Sequence, residues 1–372
     1  MSLDFLLKGQ LAFLNQHYEV VAVSGEDKHL NAVTEREKVK TVSVPMQRNI
    51  SPLKDLVSLW QLYFLFKKEK PQIVHSITPK AGLLSMVAAK LAGVPVRMHT
   101  FTGLIFPSKT GFLQKILIFM DRVLCWAATD IIPEGNGVKQ DLIKFKITKK
   151  PLRVLANGNV NGIAVEHFKP ALFSSIQKEQ LKQELNIESN TFVFVFVGRL
   201  VSDKGINELI SAFKKISAAF PKAKLLLVGP EERELDPLLP ETLAEIKNNK
   251  AIICVGFQND VRPYFAISDA LVFPSYREGF PNVVMQAGAM GLPSIVTDIN
   301  GCNEIVIANH NGMIIPVKNT KAIFEAMKEM IENKTLYNEL KQNARKRIVD
   351  NYEQKVVWNA ILAEYKKLEN NI

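Results

Sequence analysis

From residue 19 to residue 316 the chain alternates short apolar extended runs with stretches of helical periodicity, and that alternation leaves few folds open. A strand, a helix and a second strand form a parallel unit with the helix laid across the sheet, so repeated units give a parallel sheet covered by helices. Strands buried on both faces read as unbroken apolar runs. Residues 192–197 (FVFVFV) and 270–273 (ALVF) read that way. In the first half, strands are expected at 19–24, 39–44, 73–77, 96–100, 131–133 and 153–155, and helices at 3–16, 52–68, 80–91, 111–127 and 137–144. In the second half, strands are expected at 191–197, 224–228, 251–255, 270–273, 294–297 and 313–316. Its helices are expected at 205–220, 240–247, 261–267, 282–290, 303–308, 320–332 and 335–350, with a last helix at 353–369.

A length of 372 residues suits two domains. Residues 157–175 are rich in Asn and Gly and punctuated by Pro170, the texture of a connection. The expected division is therefore 1–170, 171–350 and a terminal helix in 351–372. Charge divides the same way: residues 1–170 hold 23 Lys+Arg against 13 Asp+Glu, and residues 171–372 hold 24 against 24. A net +10 on one half suits an anionic lipid surface or a diphosphate-bearing partner, or serves solubility alone. No aromatic motif interleaves with the basic residues, which argues against nucleic acid. Cys125, Cys254 and Cys302 are odd in number and far apart, so neither a disulfide framework nor a metal spacing is present and a cytoplasmic setting is expected. The start is amphipathic and carries Asp4, unlike a signal peptide, and no apolar run reaches the roughly 18 residues of a membrane span.

The chemistry concentrates in residues 274–293, PSYREGFPNVVMQAGAMGLP. A buried strand leads into a loop with Glu278 and Gly279; Pro281 sits where a helix begins, and Gly291 ends it. A helix N-terminus after a strand offers backbone N–H groups and a positive dipole end to an anion. A carboxylate in the same loop suits a ligand that also donates hydroxyls, as a phosphate joined to a sugar does. Residues 197–205, VGRLVSDKG, follow the buried 192–197 run and place Arg199 and Lys204 beyond a strand's carboxyl end, where ligands sit in open α/β sheets. Two cations there either stabilise a departing diphosphate without a metal or form a solvated basic loop.

These residues resemble glycosyltransferase family 4, the retaining nucleotide-sugar transferases of the GT-B fold. Its signature, PSxxEGFP…EAxAxGxP, places a second Glu after seven intervening residues. Glu278 fills the first position and Gln286 stands at the second. VGRLVSDKG is similar to the family's GRLxxxKG, NGCNE (300–304) to its GGxxE, and 161–168 to its NGxDxxxF. The resemblance implies an α/β protein of two Rossmann-like doubly wound domains facing a cleft, with the terminal helix returning to the first. It implies a nucleotide sugar, UDP-linked, in the second domain and a saccharide or lipid-diphosphate-linked acceptor in the first, with no cofactor and no metal. It places Gly198, Arg199 and Lys204 on the donor diphosphate. Glu278, with the N–H groups of Gly279, Phe280 and Asn282 around Pro281, falls on sugar and phosphate. Gln286 falls on the ribose, keeping an acceptor but losing a charge. Phe257 stacks on the base or fills the core; Glu304 closes the donor side. In HTFTG, His99, Thr102 and Gly103 fall on the acceptor side, with a structural His99 as the plainer reading. Residues 109–125 read as a core-facing helix or one lying on a membrane surface. Two other readings stand beside the transferase: a sugar-nucleotide epimerase of the same fold, and a non-catalytic nucleotide-sugar binder.

One element of the family pattern is not found. The chain begins inside the first helix, so a further strand and loop of about 10–15 residues is expected ahead of it. Strands 19–24 and 73–77 would then flank a slot or close on each other.

Overall fold

The computed structural model describes residues 2–46, 51–232, 234 and 236–370. The chain divides into two compact units, Met1–Gly162 with Gln354–Ile372, and Ile163–Glu353, so the division falls somewhat before Pro170.

Unit 1 opens with α1 (Ser2–Leu6) and α2 (Gln10–Leu14) rather than one helix over 3–16. The break is Gly9, at φ 84°, where a Cβ would lie 2.9 Å from the Trp358 ring. Its N–H donates to Glu37 Oε1 at 2.9 Å, and Ala12 N–H donates to Oε2 at 3.0 Å. Glu37 ends α3 (Lys28–Glu37), a helix that its polar composition hides in the sequence. Asp27 starts it, accepting from the His29 and Leu30 N–H groups.

The strands of unit 1 are β1 (Val21–Ser24), β2 (Lys40–Ser43), β3 (Ile73–Ser76), β4 (Val96–Phe101) and β5 (Asp130–Pro133). All pairings are parallel, but β1–β2 and β3–β4–β5 form separate sheets, and among the described residues β1 does not pair with β3. Of the two outcomes expected for 19–24 and 73–77, the strands stay apart. Apolar packing bridges the pieces: Ala22 of β1 and Ile77 beyond β3 share a cluster with Leu7, Leu11 and Val33. The expected strand at 153–155 is absent. Leu152 makes one bridge to Ile131, and the Arg153 side chain is drawn to Asp130 and Glu364 instead.

Helices α4 (Pro52–Glu69), α5 (Pro79–Ala92) and α6 (Gly111–Ala127) lead into β3, β4 and β5, and α5 packs against both α4 and α6. Right-handed crossovers in one direction place such helices on the same side of the strands. Then α7 (Asn136–Lys144) closes the run.

Unit 2 begins with α8 (Ser175–Glu184), whose capping box joins Ser174 and Gln177. Its strands are β6 (Phe192–Val197), β7 (Ala223–Val228), β8 (Ile252–Gly256), β9 (Ala270–Phe273), β10 (Ser294–Thr297) and β11 (Gly312–Ile315). Between them run α9 (Ile206–Ala219), α10 (Pro240–Asn248), α11 (Arg262–Ala266), α12 (Asn282–Ala289) and α13 (Cys302–Ile305), followed by α14 (Thr320–Glu332) and α15 (Lys334–Tyr352). The six strands form one parallel sheet in the order β11-β10-β9-β6-β7-β8. Winding starts at β6, runs outward to β8, then returns to β9 on the other side, a doubly wound topology with its switch point between β6 and β9. Val193, Phe194, Val195 and Phe196 are fully buried, as an apolar strand at the middle of such a sheet must be. Last, α16 (Gln354–Glu369) joins unit 1, with Val357, Ile361 and Leu362 against Leu14 and Trp358 Nε1 donating to Asn161 Oδ1 at 2.7 Å.

Glu37 is the hinge of this first segment, because its carboxylate takes two backbone N–H groups freed by the break at Gly9. Glu37→Ala should lower the urea-unfolding free energy by about 2 kcal/mol, within the range for stranding buried donors. Glu37→Gln, which keeps one acceptor, should lose less. An unchanged midpoint for Glu37→Ala would mean that α1 and α2 do not depend on that carboxylate.

Candidate active site

The loops after β6 and β9 leave neighbouring strands at the switch point, so residues 198–205 and 274–281 meet at the carboxyl edge of the sheet. A glycine permits the approach: Gly205, at φ 71°, would drive a Cβ into the Pro274 carbonyl. On the other side of β6, Gly229, at φ 148° beyond β7, would drive one into the Gly198 carbonyl. Hydrogen bonds tie the loops together: Tyr276 N–H donates to Asp203 O at 2.9 Å, and Arg277 Nη2 to Asp203 Oδ2 at 3.1 Å. Tyr276 Oη donates to the Glu208 carboxylate at 2.7 Å, anchoring the second loop to α9; burial and that carboxylate push its phenol well above the usual value.

At the centre, Lys204 Nζ is ion-paired with Glu278 Oε1, both side chains largely shielded from solvent. Ser275, fully buried, donates its Oγ proton to the same Oε1 at 2.8 Å and is itself fixed by Thr297 Oγ1 donating to its carbonyl at 2.5 Å. Lys204 Nζ lies 5.8 Å from the centre of the Phe273 ring. Among the described residues Glu278 Oε2 accepts no hydrogen bond. The pair therefore offers a cation for a phosphate and a carboxylate oxygen for a hydroxyl, side by side. Arg199 stands half-exposed beyond β6, with Nη1 2.5 Å from Glu232 Oε2.

A third loop closes in from β10. Gly301, at φ 74°, lies against the 279–281 backbone; a Cβ there would strike the Gly279 carbonyl and come within 2.7 Å of Phe280 Cα. Cys302 follows, fully buried, its thiol pushed well up first by burial and then by the Glu278 carboxylate. Glu304 lies on α13, its carbonyl accepting from Tyr352 Oη at 2.9 Å and Arg347 Nη2 at 2.9 Å. Pro281 is the N-cap of α12 in extended backbone rather than its first residue, and its own side chain makes no capping hydrogen bond. Gln286 is half-buried on α12, after Asn282 at its start, while Phe280 is buried against Tyr352. Phe257, beyond β8, is 64% exposed and not part of the core, which leaves its face available for stacking.

Gly198, Arg199, Lys204, Glu278, Gly279, Phe280, Pro281, Asn282 and Gln286 thus belong to loops and a helix start that the switch point brings to one edge of unit 2. The sequence reading missed Ser275, Asp203, Tyr276 and Glu208, which hold that arrangement; Asp203, Tyr276 and Glu208 act through long-range pairings that leave no local pattern, and Ser275 through Glu278 three residues on. In unit 1, Thr102 Oγ1 donates to the Ile77 carbonyl at 2.9 Å and Gly103 has φ 116°. The His99 ring is enclosed, with Nδ1 2.8 Å from Ser76 Oγ and Phe101 edge-on at 4.6 Å. Burial, with His75 adding a smaller effect, pushes its imidazole down to about 3. Of the two readings of His99, its enclosure matches the structural one.

Comparison with known proteins gives the same architecture. The description "Glycosyl transferases group 1" matches residues 177–347, and "Glycosyl transferase 4-like domain" matches 11–158. The capsular polysaccharide biosynthesis glycosyltransferase CapM of Staphylococcus aureus is 33% identical over 97% of this chain and 93% of its own. The Escherichia coli UDP-Gal:alpha-D-GlcNAc-diphosphoundecaprenol alpha-1,3-galactosyltransferase is 31% identical over 91% of this chain and 86% of its own. Among solved structures, Anabaena Alr3699/HepE in complex with UDP and glucose superposes with a TM-score of 0.82 at 17% identity, covering 99% of this chain and 96% of that one.

The contact at Gly301 is the tightest test of this geometry. Gly301→Ala combines a positive φ with a collision against the 279–280 backbone and should destabilise unit 2 by about 2–3 kcal/mol. At about 2–4 °C per kcal/mol, the thermal midpoint should fall by roughly 4–12 °C. A midpoint unchanged by the methyl group would show that the two loops do not touch.

Proposed function

We propose that this chain, which belongs to the group 1 glycosyltransferases of the GT-B fold, moves a hexose or N-acetylhexosamine from a UDP-sugar to a saccharide or lipid-diphosphate-linked acceptor, with retention and without a metal. The observation that carries this reading is the Lys204–Glu278 pair, set beside the start of α12 at the switch point of unit 2. Support for donor and acceptor comes from the relatives: the E. coli protein's name pairs UDP-Gal with a diphosphoundecaprenol-linked sugar. Enzyme and acceptor would then meet at the inner face of the cell membrane, with the basic first half toward the lipid. Among the described residues no helix is long and apolar enough to cross it.

In the proposed reaction the bond from the sugar's anomeric carbon to the β-phosphate oxygen breaks, and negative charge grows on the leaving UDP. Lys204, Arg199 and the N–H groups at the start of α12 stabilise that charge in place of a metal. The acceptor hydroxyl adds to the anomeric carbon from the same face and passes its proton to the departing phosphate oxygen, so no enzyme nucleophile is needed. Glu278 Oε2 accepts from a sugar hydroxyl and fixes the ring over the phosphate. Gln286 keeps one acceptor for the ribose. Phe257 stacks on the base.

A screen of UDP-, GDP- and other sugar nucleotides by thermal shift identifies the donor, since a ligand of the folded state alone raises its stability. Arg199→Ala and Lys204→Ala should each remain folded and lose about 2–4 kcal/mol of transition-state stabilisation, read as kcat/KM for donor consumption. An unchanged kcat/KM in either variant would remove that residue from the diphosphate. Gln286→Glu should tighten UDP-sugar binding by about 1 kcal/mol or less; a marked loss would mean that the pocket is shaped around the amide.

A further inference from the structure

Unit 1 exposes apolar side chains where a water-facing helix layer would carry polar ones. On α6, Phe112, Lys115, Phe119, Arg122 and Trp126 are all exposed and recur every three or four residues, so they form one stripe of alternating aromatic and basic groups. The one carboxylate of α6, Asp121, falls on the opposite side beside Cys125. On α4, Leu53, Val57, Trp60 and Phe64 form a second exposed stripe that ends in the exposed Lys67 and Lys68. The two carboxylates of α4 are taken up by cations, Asp55 by Lys80 at 2.6 Å and Glu69 by Lys40 at 2.7 Å. Between the stripes lies α5, which packs on both helices; its Lys90 Nζ lies 4.3 Å from the centre of the Trp126 ring.

We propose that the outer surface of α4, α5 and α6 docks onto an anionic lipid bilayer. Large aromatic side chains set among cations, with no carboxylate on the α6 stripe, match the boundary between acyl chains and anionic headgroups. Trp and Phe enter there while Lys and Arg meet phosphates. A second copy of the same face is a poorer occupant, because a two-fold contact would set Lys115 and Arg122 against their own counterparts. The inference gives the membrane setting proposed above a defined surface. It rests on unit 1 alone and does not depend on the donor site.

The test is co-sedimentation of the full chain with vesicles of phosphatidylcholine alone or with about one-quarter phosphatidylglycerol. The wild type should bind the anionic vesicles and largely ignore the neutral ones. Phe112→Ser/Phe119→Ser and Lys115→Glu/Arg122→Glu should each weaken that binding by at least about tenfold. Brominated lipid chains should quench Trp60 and Trp126 but spare Trp358, which is hydrogen-bonded inside unit 1. Donor consumption with a water-soluble acceptor should be unchanged in both double variants. That result shows intact folding and separates failure of this surface from failure of the transferase reading. Equal binding to neutral vesicles, no binding, binding unaffected by both double variants, or a self-association that these variants abolish would each overturn the proposal.

Discussion

The pairing of β6 with β9 is the constraint on which the candidate site rests. It joins strands that are distant in sequence, and it brings the loop carrying Lys204 against the loop carrying Glu278. Neither loop holds its shape alone: the first is fastened through Asp203 to Tyr276 and Arg277, and the second through Tyr276 to Glu208. The ion pair itself is no large source of stability, since desolvation offsets most of the attraction in a shielded pair. Its value is positional. Ser275 and Phe273 hold a cation and an acceptor at fixed points, so little reorganisation remains when charge develops on a leaving group.

Close backbone approach is the second condition. Gly205 admits the Pro274 carbonyl, and Gly301 admits the Gly279 carbonyl, which draws the loops after three adjacent strands, β6, β9 and β10, into a single surface. Had either position carried a side chain, the loops would have spread and the start of α12 would have lost its neighbours. Burial of Cys302 beside Glu278 shows how tightly the third loop is seated. Unit 1 is built differently. Its strands lie in two sheets bridged by an apolar cluster, and α16 supplies part of its core, with Tyr365 Oη 2.6 Å from the half-buried His75 ring.

Most strands were legible because buried parallel strands announce themselves as unbroken apolar runs; 270–273 and 294–297 need no adjustment at either end. The site was legible in outline, since Arg199, Lys204, Glu278 and Gly301 sit in loops whose flanking strands are obvious. Polar helices were not. For α3 and α8 the apolar periodicity is weak, and the available signals were their caps, Asp27 and the Ser174–Gln177 pair. The break in the first helix needed knowledge of Glu37 and Trp358, distant residues that make Gly9 a turn. His99 was open to two readings because a histidine at a strand end looks the same whether it faces solvent or core. Ser275 lay inside the quoted signature but its part in holding Glu278 did not show there, and Tyr276 carried no signal, because its partner Glu208 is distant in sequence.

The central claim is that the switch point of unit 2 receives the diphosphate of the donor, and a crystal structure of the UDP complex tests it most directly. The account predicts the diphosphate within hydrogen-bonding distance of Lys204 Nζ and of backbone N–H groups at the start of α12, with the uracil on Phe257 and the ribose at Gln286. A diphosphate bound elsewhere, with Lys204 still paired to Glu278 and the start of α12 untouched, would contradict it.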